Sequence, residues 1–567
     1  MRVAEPVDHI GAGQDGHGPS GAGHDAAGGP QDELAPAASA PRADARAAIF
    51  ERALLLLSLL TGALTHGYHL FRYPLYITDE GIYLQQAWAV LREARLSPYT
   101  YFYDHAPAGW LVIAAWLSVL PSQLQTFGNA INTGRALMLL AHLGSVFFLF
   151  RVTRRLAGSP GAAFAACLLF NLSPLALFYQ RQVLLDNLMV FWLLLSLYLA
   201  TLRDRRVITP LLGGLAFGLS VLTKENAVFF APVVGYLLYC QVRRQVNYRF
   251  ALGFGAFAGA ASVSTYFLYA QLKNELFPSG FNFDLNNPPA DHVSLLYTVW
   301  WQLHRSQGSI LDRNSLVWRF SLGSWLPKDT FILAAGLVAT LLALAVGLWD
   351  RRRRADPSYL VAALLAASYA FYLFRGSVML EFYVVPLLPF LAMNIGMVGS
   401  RLLQWAPALA RGGALVAFVG LLVLHPTWGY FLKINEDRKV VPQDLYMLSL
   451  TEMQAAQLQF VRETIPPTAK VIIDDDLWPD LHDVRPYYKW AHSHWKAAAD
   501  PDVRDKLYAK DWRNIDYIVL SNKMRLTMEQ NNGDGGETWI LDGLDHAEQV
   551  WSLEHGDIKL EVYRVVK

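Results

Sequence analysis

Apolar residues in this chain are bunched in long runs rather than spread evenly, and short polar stretches separate the runs. A run of about 20 apolar residues fits the ~30 Å hydrocarbon layer of a bilayer. Such runs fall at about Ala53–Tyr73, Thr133–Phe150, Ala162–Phe178, Leu188–Leu202, Ile208–Leu222 and Val228–Cys240. Others follow at about Phe250–Ala270, Phe331–Leu348, Tyr359–Phe374, Phe382–Val398 and Gly413–Tyr430, so the pattern predicts about eleven transmembrane helices. Two stretches between the first and second runs are too short or too polar to cross. In Glu80–Arg95, Leu84, Ala87, Trp88 and Leu91 recur at helical spacing among Gln85, Gln86, Arg92 and Glu93, as an interfacial helix requires. Gly109–Leu120 is apolar but short, and is expected to lie in the membrane boundary as well.

The pattern changes after Tyr430. Thr451–Thr464 reads as a helix, and Val471–Asp474, Tyr517–Leu520 and Leu560–Tyr563 read as short strands, so residues 433–567 are expected to form a small soluble α/β domain. Met1 to about residue 47 is rich in Gly, Ala, Pro, Asp and His and is expected to be a disordered tail. Gly11–Gly16 matches the dinucleotide fingerprint in letters only, because no strand precedes it and no helix pattern follows. His9, His17 and His24 belong to the same unstructured reading.

Charge fixes the side. Lys and Arg near span ends stay in the cytoplasm, and Arg151, Arg154, Arg155, Arg203, Arg205, Arg206, Arg243, Arg244, Arg249, Arg351–Arg354, Arg401 and Arg411 follow every second run. With the amino terminus inside, the opposite side receives the loops 74–132 and 271–328 and the whole tail after Tyr430. The second loop carries Trp300, Trp301, Trp318 and Trp325, residues suited to resting at the interface or to forming a lid. A composition that is 53% hydrophobic and 13% aromatic, with a net charge of +1, belongs to a multi-pass membrane protein with no nucleic-acid partner. Cys167 and Cys240 both fall inside runs, so no disulfide framework is expected outside.

The polar groups of one face then stand out. Thr78-Asp79-Glu80 follows the first run, with Thr78 as the expected N-cap and two acids favoured by the helix dipole. Asp104-His105, Arg181 to Asp186, Lys224-Glu225 and Arg375 to Glu381 all fall on the same side. Left unpaired at a bilayer boundary, such groups cost several kcal/mol apiece, so their convergence predicts an outward-opening cavity. The acidic run Asp474–Asp476 at a strand end is a candidate metal or acceptor contact, or simply solvated. Gly255 and Gly259 are expected to serve helix packing.

Outside the cytoplasm a sugar transferase lacks nucleotide donors and needs one carried by a lipid. A polyprenyl phosphate is already a good leaving group, so one carboxylate suffices as general base on the acceptor hydroxyl, with cations balancing the phosphate. That scheme predicts inversion at the sugar carbon. The rival class is a transporter or flippase of a lipid-linked sugar, which typically shows internal repeats with midplane sites; here the polar groups cluster at one surface and no repeat is apparent.

The Asp79-Glu80 pair, Tyr103-Asp104-His105-Ala106-Pro107-Ala108-Gly109-Trp110, Arg181–Asn187, Leu222–Glu225 and Glu381–Pro386, in that order, resemble the GT-C glycosyltransferases. The nearest branch is the protein O-mannosyltransferase and lipid A aminoarabinose transferase family, and the resemblance covers about Ala48–Tyr430. It implies a GT-C type α-helical polytopic fold in the plasma (inner) membrane, with an extracytoplasmic active site. It also implies Asp79 as catalytic base, with Glu80 orienting base or acceptor. Asp104 and His105 match the family's donor-phosphate segment, Ala106 replacing its first proline and His105 the lysine of some members; Asp186 matches the second acid and Lys224 the following lysine. Arg181 and Arg375 are assigned as further phosphate partners by side and charge, and Tyr383 joins the donor set, with helix shaping as its plain alternative. The implied partners are a polyprenyl-phosphate-linked sugar, an acceptor protein, lipid or glycan, and the bilayer. No cofactor is demanded; a divalent cation held by Asp79, Glu80 and Asp186 is the candidate.

Overall fold

A proline splits one of the apolar runs, at Pro174, into two helices. The computed structural model describes residues 40–202, 206–243, 245–284, 293–304, 311–352, 357–375, 379–434, 440–442, 449–531 and 537–567. The readings placed on Gly11–Gly16, His9, His17, His24, Arg203, Arg205, Arg244, Arg353 and Arg354 lie outside these residues. Helix α1 (Ala40–Gly67) starts already inside the segment expected to be a tail, with Pro41 near its start, where the fixed φ of proline suits a first turn.

Helices α2 (Thr78–Glu93) and α3 (Ala108–Ser118) follow, then α4 (Ala130–Ala157), which starts where the Asn129 side chain accepts from the Asn132 amide at 2.7 Å and ends at Gly158 with φ 67°. The run at 162–178 becomes two helices, α5 (Pro160–Leu172) and α6 (Pro174–Tyr179), because Pro174 has no amide to donate and the Ser173 hydroxyl caps the Ala176 amide at 3.1 Å instead. Next come α7 (Leu185–Ala200), α8 (Ile208–Thr223), α9 (Ala231–Val242), α10 (Tyr248–Leu272) and α11 (Leu295–His304). Further helices occupy Gly336–Arg352, Ser358–Phe374, Leu388–Trp405 and Ala408–Phe431.

Among the described residues, five helices are long and apolar enough to cross a membrane: Ala45–Gly67, Ala130–Ala157, Tyr248–Leu272, Phe331–Arg352 and Glu381–Trp405. Six other apolar helices are shorter, 10–17 residues, so a count of about eleven crossings remains an expectation. Close backbone approach joins α8 to α10: a Cβ on Gly214 would stand 1.9 Å from the Gly255 carbonyl oxygen, and the Gly259 oxygen lies against Gly218. The packing role expected of Gly255 and Gly259 is therefore met by backbone contact with α8.

Strands β1 (Leu432–Ile434) and β2 (Val440–Pro442) form an antiparallel pair. After the helix Leu450–Thr464, strands β3 (Val471–Ile473), β4 (Ala491–Ser493), β5 (Tyr517–Ser521), β6 (Ala547–His555) and β7 (Ile558–Val565) make one sheet in the order β4-β3-β5-β7-β6. The first three strands are parallel and the last two antiparallel. Val471, Ile472 and Ile473 are all fully buried, since apolar clusters cover both faces of the sheet there. From Glu51 to Lys567 the chain forms one compact unit.

Helix α2 departs from its expected interfacial role. Glu80, Gly81, Tyr83, Leu84, Gln85, Gln86, Ala87 and Ala89 are buried, and acids of the domain after Tyr430 pair with its polar groups: Gln85 Nε2 donates to Asp475 at 2.6 Å, and Trp88 Nε1 to Asp483 at 3.0 Å. Thr78 is not the N-cap. Ile77 takes that position, and the Thr78 hydroxyl donates to Asp474 at 3.1 Å. Asp475 and Asp476 are likewise buried rather than solvated. Trp325 is buried as well, its indole donating to the Glu381 carbonyl at 2.7 Å instead of facing an interface.

Candidate active site

The Tyr103–Ala106 segment turns sharply, with Tyr103 at φ 59°, and two tyrosines fix it by donating to the His105 carbonyl: Tyr101, and Tyr266 at 3.0 Å. Glu225, one residue past Lys224, closes the turn from the other side. Its carboxylate accepts from the Ala106 amide and lies 3.2 Å from His105 Nδ1. Burial pulls the His105 imidazole down, but the hydrogen bond and charge of Glu225, with Asp104, outweigh it and hold His105 above the ordinary histidine value.

Lys224 ends α8 and is nearly enclosed. Its ammonium lies 2.5 Å from Asp186 Oδ2 and 4.3 Å from the centre of the Tyr383 ring. Asp186 is fully buried, and its Oδ1 has no hydrogen-bond partner among the described residues. Arg375, exposed, stands 5.5 Å from the Tyr372 ring centre and makes no ion pair among the described residues. One cavity of about 400 Å³ has Asp104, His105, Lys224, Glu225, Arg375 and Tyr383 in its lining. Much of the remaining lining is apolar: Val221 and Leu222 from α8, Val263 and Phe267 of α10, and Leu295, Val299 and Leu303 of α11. The second loop thus contributes a wall of this cavity through α11.

Asp79 sits in the first turn of α2, with the Tyr83 hydroxyl 3.4 Å from Oδ1. Burial raises its carboxyl above the usual aspartate range, and the nearby Lys224, Lys523 and His105 work against that rise while Asp186 adds to it. Glu80, its neighbour, has a different environment. The Glu80 carboxylate is fully buried and accepts from Arg135 Nε at 2.9 Å and NH2 at 2.8 Å, from the Val183 amide at 2.9 Å and from the Ile77 amide at 3.2 Å. It fastens α2 to α4 and to the turn before α7, which orients Asp79 but leaves Glu80 no free lone pair for an acceptor.

Of the residues singled out in the sequence, the cavity brings together Asp104, His105, Lys224, Arg375 and Tyr383, with Asp186 bonded behind Lys224. Arg181 is not brought there. It is fully buried, its guanidinium reaching the Thr65 and Tyr73 carbonyls with the Tyr73 ring 5.8 Å away. The candidate cation ligands do not fit a metal: Glu80 is engaged by Arg135 and Asp186 by Lys224. Among the described residues, no group of three His, Cys, Asp or Glu side chains is placed to hold one. One positioning residue and one contact escaped the sequence reading. Arg135 was visible as a charge just inside an apolar run, a signal of buried pairing; the link from Glu225 to His105 joins positions far apart in sequence and had none.

The family profile described as dolichyl-phosphate-mannose-protein mannosyltransferase matches residues 104–269, a segment that contains Asp104, His105, Asp186, Lys224 and Glu225. A curated relative, the undecaprenyl phosphate-alpha-4-amino-4-deoxy-L-arabinose arabinosyl transferase of Pseudomonas aeruginosa (strain LESB58), is 27% identical over 366 residues, 63% of this chain and 61% of its own length. The chain therefore spans less than two thirds of that relative. Two solved structures share the fold. ArnT from Cupriavidus metallidurans, solved bound to undecaprenyl phosphate, has a TM-score of 0.54 at 14% identity, covering 90% of this chain and 97% of its own. The Archaeoglobus fulgidus oligosaccharyltransferase in the apo form has a TM-score of 0.53 at 12% identity, covering 86% and 71%. The chain resembles the GT-C glycosyltransferases of the ArnT and protein O-mannosyltransferase type.

Proposed function

We propose that this protein is an inverting glycosyltransferase of the plasma (inner) membrane that moves a sugar from a polyprenyl-phosphate donor to an acceptor hydroxyl on the extracytoplasmic side. The single observation that carries the reading is the cavity's mixed lining, in which the cationic side chains His105, Lys224 and Arg375 share one cavity with many apolar residues. A lipid-borne phosphate has a part to suit each. Asp79 is not among the lining residues, but it lies within the electrostatic field of Lys224 and His105, which are.

In this scheme the Asp79 carboxylate takes the proton of the acceptor hydroxyl as the oxygen attacks the anomeric carbon. The bond from that carbon to the phosphate oxygen breaks, its electron pair leaves on the phosphate, and Lys224, Arg375 and protonated His105 balance the charge. Attack opposite the leaving group inverts the anomeric centre. Asp186 holds the Lys224 ammonium in place, Tyr383 packs over it, and Asp104 lines the cavity next to His105 in the chain. Glu80 acts through Asp79, as a positioning residue, and the donor set does not include Arg181. The acceptor is a hydroxyl of a protein, lipid or glycan.

The test uses purified protein in nanodiscs, a radiolabelled polyprenyl-phosphate sugar and a total membrane extract as acceptor. Label passing to acceptor without a second compartment supports a transferase. Donor that stays intact, yet crosses a sealed vesicle when the protein is present, supports a flippase; the relatives, named as transferases, do not favour that alternative.

A further inference from the structure

The parallel strands β4, β3 and β5 point their carboxyl ends to one edge of the sheet, which carries Trp495, Asp474 to Asp476, and Lys523. In open α/β sheets this edge is where ligands bind. Here it receives the start of α2. The Thr78 hydroxyl donates to Asp474 at 3.1 Å, Gln85 donates to Asp475 at 2.6 Å, and between them the Gly81 backbone presses on the Asp475 carbonyl. A Cβ on Gly81 would stand 2.1 Å from that oxygen and 2.7 Å from the Asp476 nitrogen, a clash with backbone that no side-chain rotation relieves.

We propose that the end of β3 is a positioning device for the reaction: Asp474 and Asp475 hold the first turns of α2 so that the Asp79 carboxylate is fixed in place. The proposal rests on the reading of Asp79 as the base. The bonds bracket Asp79, one at the residue before it and one six residues after. The strand side of the contact is itself rigid, since the Asp475 carboxylate also accepts from the Ser493 hydroxyl and from the Trp495 indole at 2.8 Å. On the opposite face of the same turn the Glu80–Arg135 pair clamps α2 to the bundle. Asp79 is thus held from both sides, one clamp supplied by the helices and the other by the sheet. A base displaced by about 1 Å loses on the order of a hundredfold in rate while its neighbours still bind substrate.

Gly81→Ala in the full chain tests this. Alanine is the better helix former, so α2 itself is kept, and the loss falls on its approach to β3. Turnover of radiolabelled polyprenyl-phosphate sugar, with membrane extract as acceptor, is expected to fall by about tenfold to a hundredfold, with the donor KM near the wild-type value. Thr78→Val removes only the Asp474 bond in the same shape and is expected to lower kcat several-fold, again without a change in donor KM; it decides the matter if Gly81→Ala does not fold. Wild-type kcat in both variants, or a loss that appears in KM alone, overturns the positioning role while Asp79→Asn stays inactive. Normal turnover by Asp79→Asn instead removes the base assignment, and the proposal with it.

Discussion

Arg135 is the residue whose removal is most informative, because its whole polar inventory faces Glu80 and the backbone around it. It donates to both Glu80 oxygens, at 2.9 and 2.8 Å, and to the Pro74 carbonyl at 2.8 Å, and neither partner has any solvent exposure. Arg135→Gln leaves the Glu80 carboxylate with two backbone amides and no counter-charge. Breaking a buried pair on one side costs about 3–5 kcal/mol, a factor on the order of a hundred to a few thousand in the opening of the α2 start. The variant should unfold at a lower temperature in detergent, exchange its amides at 78–83 faster, and lose turnover, while donor binding in the separate cavity persists. The double variant Glu80→Gln/Arg135→Gln buries no net charge and should lose less than the two single variants added together. An Arg135→Gln protein with wild-type melting and turnover, or a double variant whose loss is fully additive, would refute the clamp.

Other outcomes follow from the same geometry. Activity should show a bell-shaped pH profile: Asp79, raised above the usual aspartate value, is lost as a base when pH falls through its pKa, and His105, raised above the histidine value, loses its charge as pH climbs through its own. His105→Lys should push out the alkaline limb and leave the acid limb in place; an unmoved alkaline limb rules His105 out as its source. Lys224→Ala should weaken donor binding, read by titration of the labelled lipid, and should also cost about 3–5 kcal/mol by stranding the Asp186 carboxylate. Val263→Trp, which fills the apolar part of the cavity, should raise the donor KM with little change in melting temperature. Because both Glu80 oxygens are held by Arg135 and one Asp186 oxygen by Lys224, a chelator should leave turnover unchanged, and restoration by added metal after chelation would contradict that assignment.

The sequence made legible those features that depend on one local pattern. The apolar runs located the helices, the strands expected at Val471–Asp474 and Tyr517–Leu520 fall close to β3 and β5 while β4 gave no signal, and the polar residues at run ends included His105, Lys224, Arg375 and Tyr383, which line one cavity. What it hid depends on tertiary pairing. Glu80 reads like Asp79 in the chain, yet one is sealed by Arg135 and the other meets the Tyr83 hydroxyl within the field of Lys224 and His105. Arg181 has the side and charge of a phosphate partner, but backbone carbonyls of the α1 end claim it. Helix α2 has the periodicity of an interfacial helix, and an acid at a sheet almost 400 residues later pairs with its buried Gln85. Short helices broken at Ser173-Pro174 blur the count of crossings for a similar reason, since a capped break inside an apolar run leaves its composition unchanged.

The base assignment is tested most directly by single-turnover transfer from a radiolabelled polyprenyl-phosphate sugar by Asp79→Asn beside the wild-type protein, with donor affinity measured on the same preparations. The amide keeps the shape of the side chain and cannot take the proton, so the transfer rate should drop about a hundredfold or more at unchanged donor affinity. Transfer at the wild-type rate would contradict the account, and a drop explained wholly by weaker donor binding would move Asp79 from the chemistry to the binding site.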